Sequence, residues 1–435
     1  MQRRQFLKAI GATGLGAALI NARSLYSTIS RQYQAKRARD FIDSMGVATH
    51  WNYPDTPYGF DYERVRERLV ESGIRHVRDG FSNRIQDLGK NGIMSTVVAD
   101  LPNNAHGIIK NIETIRDRLK KENQDNLYVD AVEGPNEVDL FWDRFKKTYE
   151  GDGYQQGQSG IIKDAVHFQK DLYTTLKADS ETEKLTVMGI ALGITYDPGG
   201  GKPNPFQKGE LTDYVDWGNF HPYPGGGNPF SFPAPYAGLK KYYWHGSFPS
   251  INLDEYPYAF NTYHPPYAPK PMASTETGYS TYSGGASERT HAKYIPRLYA
   301  EYFRLGIKRA YVYEFIDEFK DPNKTNREAN FGSLRRDTSA KPGYTALKSL
   351  IALLRNYPNP FNSSTLISYE LSRSSHVRLE IYDAPGRLVT TLVDDFQNAG
   401  HYKVPFSNSR LPSGTYHYKL TGGDLITHRK MLLLR

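Results

Sequence analysis

The sequence contains no cysteine, and this absence excludes several kinds of chemistry. Without thiols the chain has no disulfides, no thiolate nucleophile, no zinc–thiolate centre and no iron–sulfur cluster. Its stability must therefore come from the burial of a core. At 435 residues the chain is long enough for one large domain and one small domain.

A positive charge excess is missing from most of the chain, although the formal net charge is +8. Residues 1–39 hold eight Lys or Arg residues and no Asp or Glu; subtracting these eight from the total of 55 leaves 47 basic residues against 47 acidic ones. A polyanion would meet no overall attractive field on the rest of the chain. We therefore predict no nucleic-acid partner.

The N-terminus reads as an export signal. Arg3 and Arg4 precede Phe-Leu-Lys and then an apolar stretch, Ala9–Ile20, which is too short for a bilayer core of about 20 residues. The pattern resembles the twin-arginine signal, apart from Gln2 where that signal has Ser or Thr, and the resemblance implies export of a folded protein. A cytosolic amphipathic helix is the alternative. We assign residues 1–39 to signal and linker, and expect no transmembrane helix in the mature protein.

Residues 356–435 consist of short alternating segments separated by Gly and Pro turns, which predicts a small β-sandwich. The segments are Leu366–Leu371, Val377–Tyr382 and Thr415–Leu420. Four sequence segments resemble the C-terminal sorting domain of the type IX secretion system: NYPNPFN, YDAPGRLVTTLVD, LPSGTYHYKL and KMLLLR. The resemblance implies that export machinery is a partner and that the protein is secreted from, or anchored on, a Gram-negative cell. A carbohydrate-binding module is the alternative.

The body of the chain, residues 40–355, alternates eight short apolar runs with helical patterns, which predicts a (β/α)8 TIM barrel. The predicted strands are Met45–Thr49, His76–Asp79, Met94–Ala99, Leu127–Glu133, Leu185–Ile190, Trp217–His221, Met272–Glu276 and Arg309–Phe315. A helix over Tyr62–Glu71 is expected to bury Val65, Leu69 and Val70, and Gly343–Arg355 to close the barrel. A doubly wound sheet is the competing fold.

The sequence contains fragments of cofactor-binding and metal-binding motifs, but none of these motifs is complete. Gly199–Lys202 is followed by Pro203, which lacks the hydroxyl that a P-loop uses. No HExxH occurs, and the segment from Asp321 lacks the glycine and glutamate of a calcium loop. We predict no cofactor and no metal.

Two glutamates follow strands at the end where barrel enzymes bind their substrates. Asn136 and Glu137 come after the fourth strand, and Glu276 closes the seventh. Carboxyl groups from these two strands can approach one substrate from two sides, as glycoside hydrolysis requires. We therefore expect a polysaccharide or oligosaccharide substrate.

This arrangement resembles the clan A glycoside hydrolases, a barrel superfamily with a retaining mechanism. The resemblance implies that Glu137 is the acid/base and Glu276 the nucleophile. It implies further roles: support of the nucleophile for Arg78, binding of the sugar 2-hydroxyl for Asn136, and a position beside the nucleophile for His221 and Tyr223. Strand eight departs from the clan, since Tyr313 and Glu314 stand where Trp is common.

Further candidate substrate-binding residues are Tyr279, Glu314, His50 and Trp51, although Trp51 could equally pack in the core. Arg78 beside Glu276 is expected to lower the pKa of that carboxyl. A retaining enzyme needs carboxyl groups about 5–5.5 Å apart. Residues 214–267 hold 16 aromatics among 54 residues, which favours either a sugar-stacking loop or a self-packed one.

Two other functions fit the same residues. A surface protein with a degenerate barrel would bind carbohydrate without cleaving it. A transglycosylase would use Glu137 and Glu276 but transfer the sugar to another sugar instead of to water.

Overall fold

The computed structural model describes residues 38–101, 112–141, 158–193, 204–224, 263–357 and 361–434, the last range without 363, 372, 409 and 424. The chain divides into two compact units, residues 1–40 and 41–435, and only residues 38–40 of the first are described. The predicted signal up to residue 37, the Gly199–Lys202 segment and residues 225–262 of the aromatic segment lie outside these ranges. Within them, no helix combines the length and the apolarity needed to cross a bilayer.

Eight parallel strands form one sheet that closes into a barrel. They are β1 (Met45–Ala48), β2 (His76–Asp79), β3 (Met94–Val98), β4 (Val129–Glu133), β5 (Thr186–Met188), β6 (Gly218–Phe220), β7 (Met272–Thr277) and β8 (Ala310–Val312). Neighbours along the sheet run β5-β4-β3-β2-β1-β8-β7-β6. A parallel bridge between Met188 and Trp217 joins its two ends, and the Gly189 amide donates to the Trp217 carbonyl at 2.9 Å. The predicted (β/α)8 barrel is confirmed.

The described α-helices lie before β1 and after β1, β2, β3, β4, β7 and β8. They are α1 (Ala38–Asp43), α2 (Pro57–Phe60), α3 (Tyr62–Ser72), α4 (Ile85–Lys90), α5 (Ile112–Glu122), α6 (Gln158–Lys177), α7 (Glu288–Arg304) and α8 (Pro342–Arg355). Helix α3 buries Val65 and Leu69, which are four residues apart and share one face. The predicted burial of Val70 is wrong: this side chain is 41% exposed, because it lies about 100° around the helix from Leu69.

The last seven strands form two antiparallel sheets. They are β9 (Asn356–Tyr357), β10 (Ser364–Leu371), β11 (Ser375–Asp383), β12 (Leu388–Gln397), β13 (Gly400–Ser407), β14 (Gly414–Gly422) and β15 (Leu425–Leu433). One sheet has the order β13-β10-β9 and the other β12-β11-β14-β15. Ile367 and Phe406 of the first sheet share one core with Leu379 and Leu420 of the second. The two faces therefore pack together as the predicted β-sandwich.

Candidate active site

Arg78 lies at the end of β2, buried inside the barrel mouth, and joins three polar side chains. Its Nε and one Nη donate to the two carboxylate oxygens of Glu133 at 2.7 and 2.8 Å. The other Nη donates to Glu276 Oε1 at 2.6 Å. The first Nη also donates to the Asn136 side-chain oxygen at 2.7 Å. This fork fixes the guanidinium plane, because four of its five N–H donors have separate acceptor atoms.

Glu276 reaches the mouth through an irregularity in β7. The pairing register between β7 and β8 shifts between Ser274 and Thr277, and such a bulge re-aims the side chain it carries. One carboxylate oxygen of Glu276 accepts from Arg78, and the other accepts from the Tyr223 hydroxyl at 2.8 Å. Both oxygens therefore have a donor, which favours the ionised carboxylate.

The surroundings lower the pKa of Glu276 below its ordinary value. Burial acts in the opposite direction and would raise it, but the charges of His221 and Arg78 and the Tyr223 hydrogen bond outweigh the burial. The expectation that Arg78 lowers this pKa agrees with that direction.

Glu137 is held by its backbone in an uncommon conformation. Its φ is 49°, in the left-handed region that non-glycine residues seldom adopt. Its amide donates to the Ala191 carbonyl at 2.8 Å, and its own carbonyl accepts from the amides of Leu140 and Phe141. These bonds hold the strained turn in place and present the side chain to the mouth.

His221 follows β6 and connects Glu137 to the buried side of the site. Its Nδ1 lies 2.8 Å from Glu137 Oε1, and its Nε2 lies 2.9 Å from the Thr275 hydroxyl. That hydroxyl has acceptors in Glu133 and Asn219, each at 2.9 Å, so we assign it as an acceptor from His221 Nε2–H. Nδ1 and Glu137 then share one proton between them.

Burial lowers the pKa of His221, but the charge of Glu276 and the hydrogen bond and charge of Glu137 outweigh it and leave the pKa above its ordinary value.

The two candidate catalytic carboxylates lie close together. One oxygen of Glu137, one oxygen of Glu276 and one nitrogen of His221 are all within 4.8 Å of one another. The two glutamates come from β4 and β7, three strands apart around the barrel, so they flank a common space at the mouth. Their environments differ, since an arginine and a tyrosine hold Glu276 while an imidazole holds Glu137.

Three of the predicted substrate-binding side chains do not line this space. Trp51 is 5% exposed and packs edge-on against Tyr58 and Tyr62, which is the packing role that the sequence left open. Tyr279 is 3% exposed, and its ring packs against Tyr294. Glu314 is fully buried. All three side chains therefore lie behind the open surface of the mouth, and a role for Tyr279 or Glu314 in substrate binding stays a prediction.

Sequence reasoning missed several partners of the central residues. Buried Glu133 accepts from Arg78. Thr275 contacts the buried nitrogen of His221 and is itself bonded to Asn219. Glu318 binds His50 at 2.6 Å. A signal for Glu133 existed: a charged residue inside an apolar strand requires a buried partner. The sequence contains no comparable indication for Thr275, whose neighbours come from two other parts of the chain, β4 and the segment around β6.

The fold and the site define this protein as a (β/α)8 barrel with paired carboxylates at the C-terminal ends of its strands. Residues 355–434 match the family described as the secretion system C-terminal sorting domain. The C-terminal domain thus directs type IX secretion, and the protein is exported to the outer surface or the medium. No curated protein matches the chain.

Several solved structures have a similar chain path. A family 39 glycoside hydrolase from Bacteroides cellulosilyticus is 17% identical with a TM-score of 0.47, covering 88% of this chain and 82% of its own. A β-glucuronidase from Bacteroides uniformis is 16% identical with a TM-score of 0.45, covering 89% of this chain and 46% of its own. A putative β-galactosidase from Bacteroides fragilis is 12% identical with a TM-score of 0.44, covering 90% and 54%. The chain spans about half the length of the last two.

Proposed function

We propose that the barrel is a retaining glycoside hydrolase that acts on a polysaccharide or oligosaccharide outside the cell. The observation that carries the proposal is the pair Glu137 and Glu276, with one oxygen of each within 4.8 Å and with different hydrogen-bond partners. An inverting enzyme keeps its carboxyl groups about 6.5–9.5 Å apart to admit a water molecule, whereas a retaining enzyme brings them to about 5–5.5 Å. The spacing here supports the retaining type.

The hydrogen bonds support distinct roles for the two glutamates. Glu276, ionised between Arg78 and Tyr223, attacks the anomeric carbon as the bond to the leaving oxygen breaks. Glu137 gives that oxygen the proton it shares with His221. In the second step Glu137 takes a proton from water, the water oxygen attacks the anomeric carbon, and Glu276 leaves as a carboxylate.

The first experiment compares Glu276→Ala and Glu137→Ala on a panel of aryl glycosides and intact polysaccharides. We expect Glu276→Ala to lower kcat by at least about 10⁴-fold, because it removes the covalent step. Glu328→Ala is the matched control. Glu328 lies near enough to both carboxylates for their charges to act on it, yet it is outside the pair. We expect the activity of the Glu328→Ala variant to stay within about tenfold of the wild type.

Azide then distinguishes the two roles. With azide, Glu276→Ala should form a glycosyl azide of inverted configuration, and Glu137→Ala one of retained configuration, both identified by NMR. Full activity of Glu276→Ala, or inverted sugar as the first product of the wild-type enzyme, would contradict the proposal. Carbohydrate binding without turnover would identify a binding protein.

A further inference from the structure

A second cluster of polar side chains lies on the β1 and β8 side of the barrel mouth. His50 follows β1, and Glu314 and Glu318 follow β8. His50 Nδ1 is 2.6 Å from Glu318 Oε1 and 3.7 Å from Glu314 Oε2, and one atom of each residue lies within 4.8 Å of the others. We propose that these three side chains bind one divalent cation of the first transition row, such as zinc.

Glu314 is the residue that requires a ligand. It is fully buried, and neither of its carboxylate oxygens has a hydrogen-bond partner. His50 Nδ1, at 3.7 Å, is too far for a hydrogen bond. Protonation would remove the charge of Glu314 but leave a buried O–H without an acceptor, which is itself costly. A cation satisfies both the charge and the empty lone pairs.

The nearby lysine does not neutralise Glu314. Lys341 donates to Asp317 Oδ1 at 2.7 Å and to the Thr281 hydroxyl at 3.1 Å, so its charge is matched by Asp317. With a neutral imidazole, Glu314 and Glu318 leave a net charge of −2. A divalent cation balances that charge.

The ligand set and its rigidity favour a transition metal over calcium. One imidazole nitrogen with two carboxylates suits zinc or manganese, whereas calcium prefers six to eight oxygens. Tyr53 stacks on the His50 ring at 4.9 Å, and Tyr313 meets it edge-on at 5.7 Å, so the ring orientation is fixed before any metal arrives. The His50 side chain is 20% exposed, which gives a cation a path from the mouth and leaves a coordination position for water.

Only small shifts would form the site. Ligand atoms about 2.1 Å from a tetrahedral zinc lie about 3.4 Å apart. The present spacings, from 2.6 Å up to no more than 4.8 Å, bracket that value.

The experiment measures zinc binding to the EDTA-treated full-length protein by calorimetry and by the rise in Tm. We expect one zinc per chain and, at about 100 times Kd, a Tm rise of roughly 2–6 °C. Glu314→Gln should weaken zinc binding at least about 100-fold, as should His50→Gln, which serves if the first variant does not fold. Glu276→Gln is the matched control, because Glu276 belongs to the other His/Glu cluster of the mouth, and it should bind zinc like the wild type.

The proposal is overturned if the wild-type protein binds no zinc, if calcium binds in preference to zinc, or if Glu314→Gln binds zinc as tightly as the wild type. It is also overturned if zinc binding is lost in Glu276→Gln and kept in Glu314→Gln, which would place the ion between the catalytic carboxylates. These readouts need no glycan substrate, so their failure is separate from failure of the hydrolase proposal.

Discussion

At the scale of single residues, Arg78 connects the buried carboxylate of Glu133 to the candidate nucleophile Glu276. Glu133 takes two of its donor directions and Glu276 another. The guanidinium is therefore already oriented before substrate binds, and its charge acts on Glu276 at a fixed distance of 2.6 Å. Lysine has the same charge but cannot form this fork.

Arg78→Lys should move the acid limb of the pH–rate profile to higher pH. The pKa of Glu276 lies below its ordinary value partly because of Arg78, and the nucleophile works only above its pKa. Lysine cannot keep the close bond that the guanidinium fork makes to Glu276, so its charge stabilises the carboxylate less and the pKa of Glu276 rises. Activity is then lost at a higher pH as the solution is acidified. Profiles of kcat/KM against pH test this.

Arg75→Lys is the control for that variant. Arg75 is a neighbouring arginine that lies away from the mouth, and it forms an ion pair of 3.0 Å with Asp43. Its replacement should leave the acid limb of the profile in place. An unchanged limb in Arg78→Lys would mean that Arg78 does not set the ionisation of Glu276.

The candidate site could be predicted from sequence only where a residue's own strand revealed it. Glu137 and Glu276 stand out because each ends an apolar run. Glu318 does not, since it contacts His50 across 268 residues of sequence, and no local pattern encodes that approach. For Trp51 the sequence leaves two roles open, sugar stacking and packing in the core, and its ring packs against Tyr58 and Tyr62.

At the scale of elements, the segments after β4 and β5 approach each other at Glu137. A Cβ added to Gly193 would lie 2.8 Å from the Glu137 carboxyl carbon and 3.0 Å from its Cβ. These are shorter than van der Waals contact, so any side chain at position 193 must displace Glu137.

Gly193→Ala should therefore lower kcat by about 10²-fold, because a catalytic group displaced by about 1 Å no longer meets the leaving oxygen. Steady-state kinetics with a thermal melt would measure this. Gly80→Ala is the control, since a Cβ there meets only the Asn52 amide at 3.8 Å. Equal kinetics for the two variants would mean that Glu137 tolerates the shift.

Strand positions are predictable from the sequence, and each predicted end lies within three residues of the observed one. The seventh predicted strand, Met272–Glu276, differs from β7 by one residue, whereas the eighth, Arg309–Phe315, is reduced to β8 at Ala310–Val312. Apolar alternation continues beyond the point where a parallel neighbour stops pairing. The end of a strand is thus set by the sheet and not by its own residues.

At the scale of the whole molecule, the barrel and the sandwich have separate cores. Tyr344, Leu347 and Ile351 of α8 belong to the barrel core, whereas Phe361 and Ile367 belong to that of the sandwich. Helix α8 ends at Arg355 and β9 begins at Asn356. The two domains are joined at this peptide, and α8 also contacts β15, but their apolar cores remain separate.

A chain that ends at Arg355 should keep kcat/KM within about twofold and lose only a few degrees of Tm, because the barrel core stays complete. Activity assays and melts of the purified fragment test this. A chain that ends at Ala340 is the contrasting variant: it lacks α8 and should fail to fold, since three core side chains go with the helix. Loss of activity in the fragment that ends at Arg355 would mean that the barrel needs the sandwich to stay folded.

Closure of the barrel has a consequence for the behaviour of the protein outside the cell. Among the described residues, each barrel strand has a partner on both sides, while β12 and β13 stand at the margins of the sandwich sheets with backbone groups available for pairing. Phe396 and Leu388 on β12 are largely exposed as well. A second copy could therefore add a strand to the sandwich but not to the barrel of the described molecule. Removal of the sandwich after export would leave a protein that resists aggregation at high concentration.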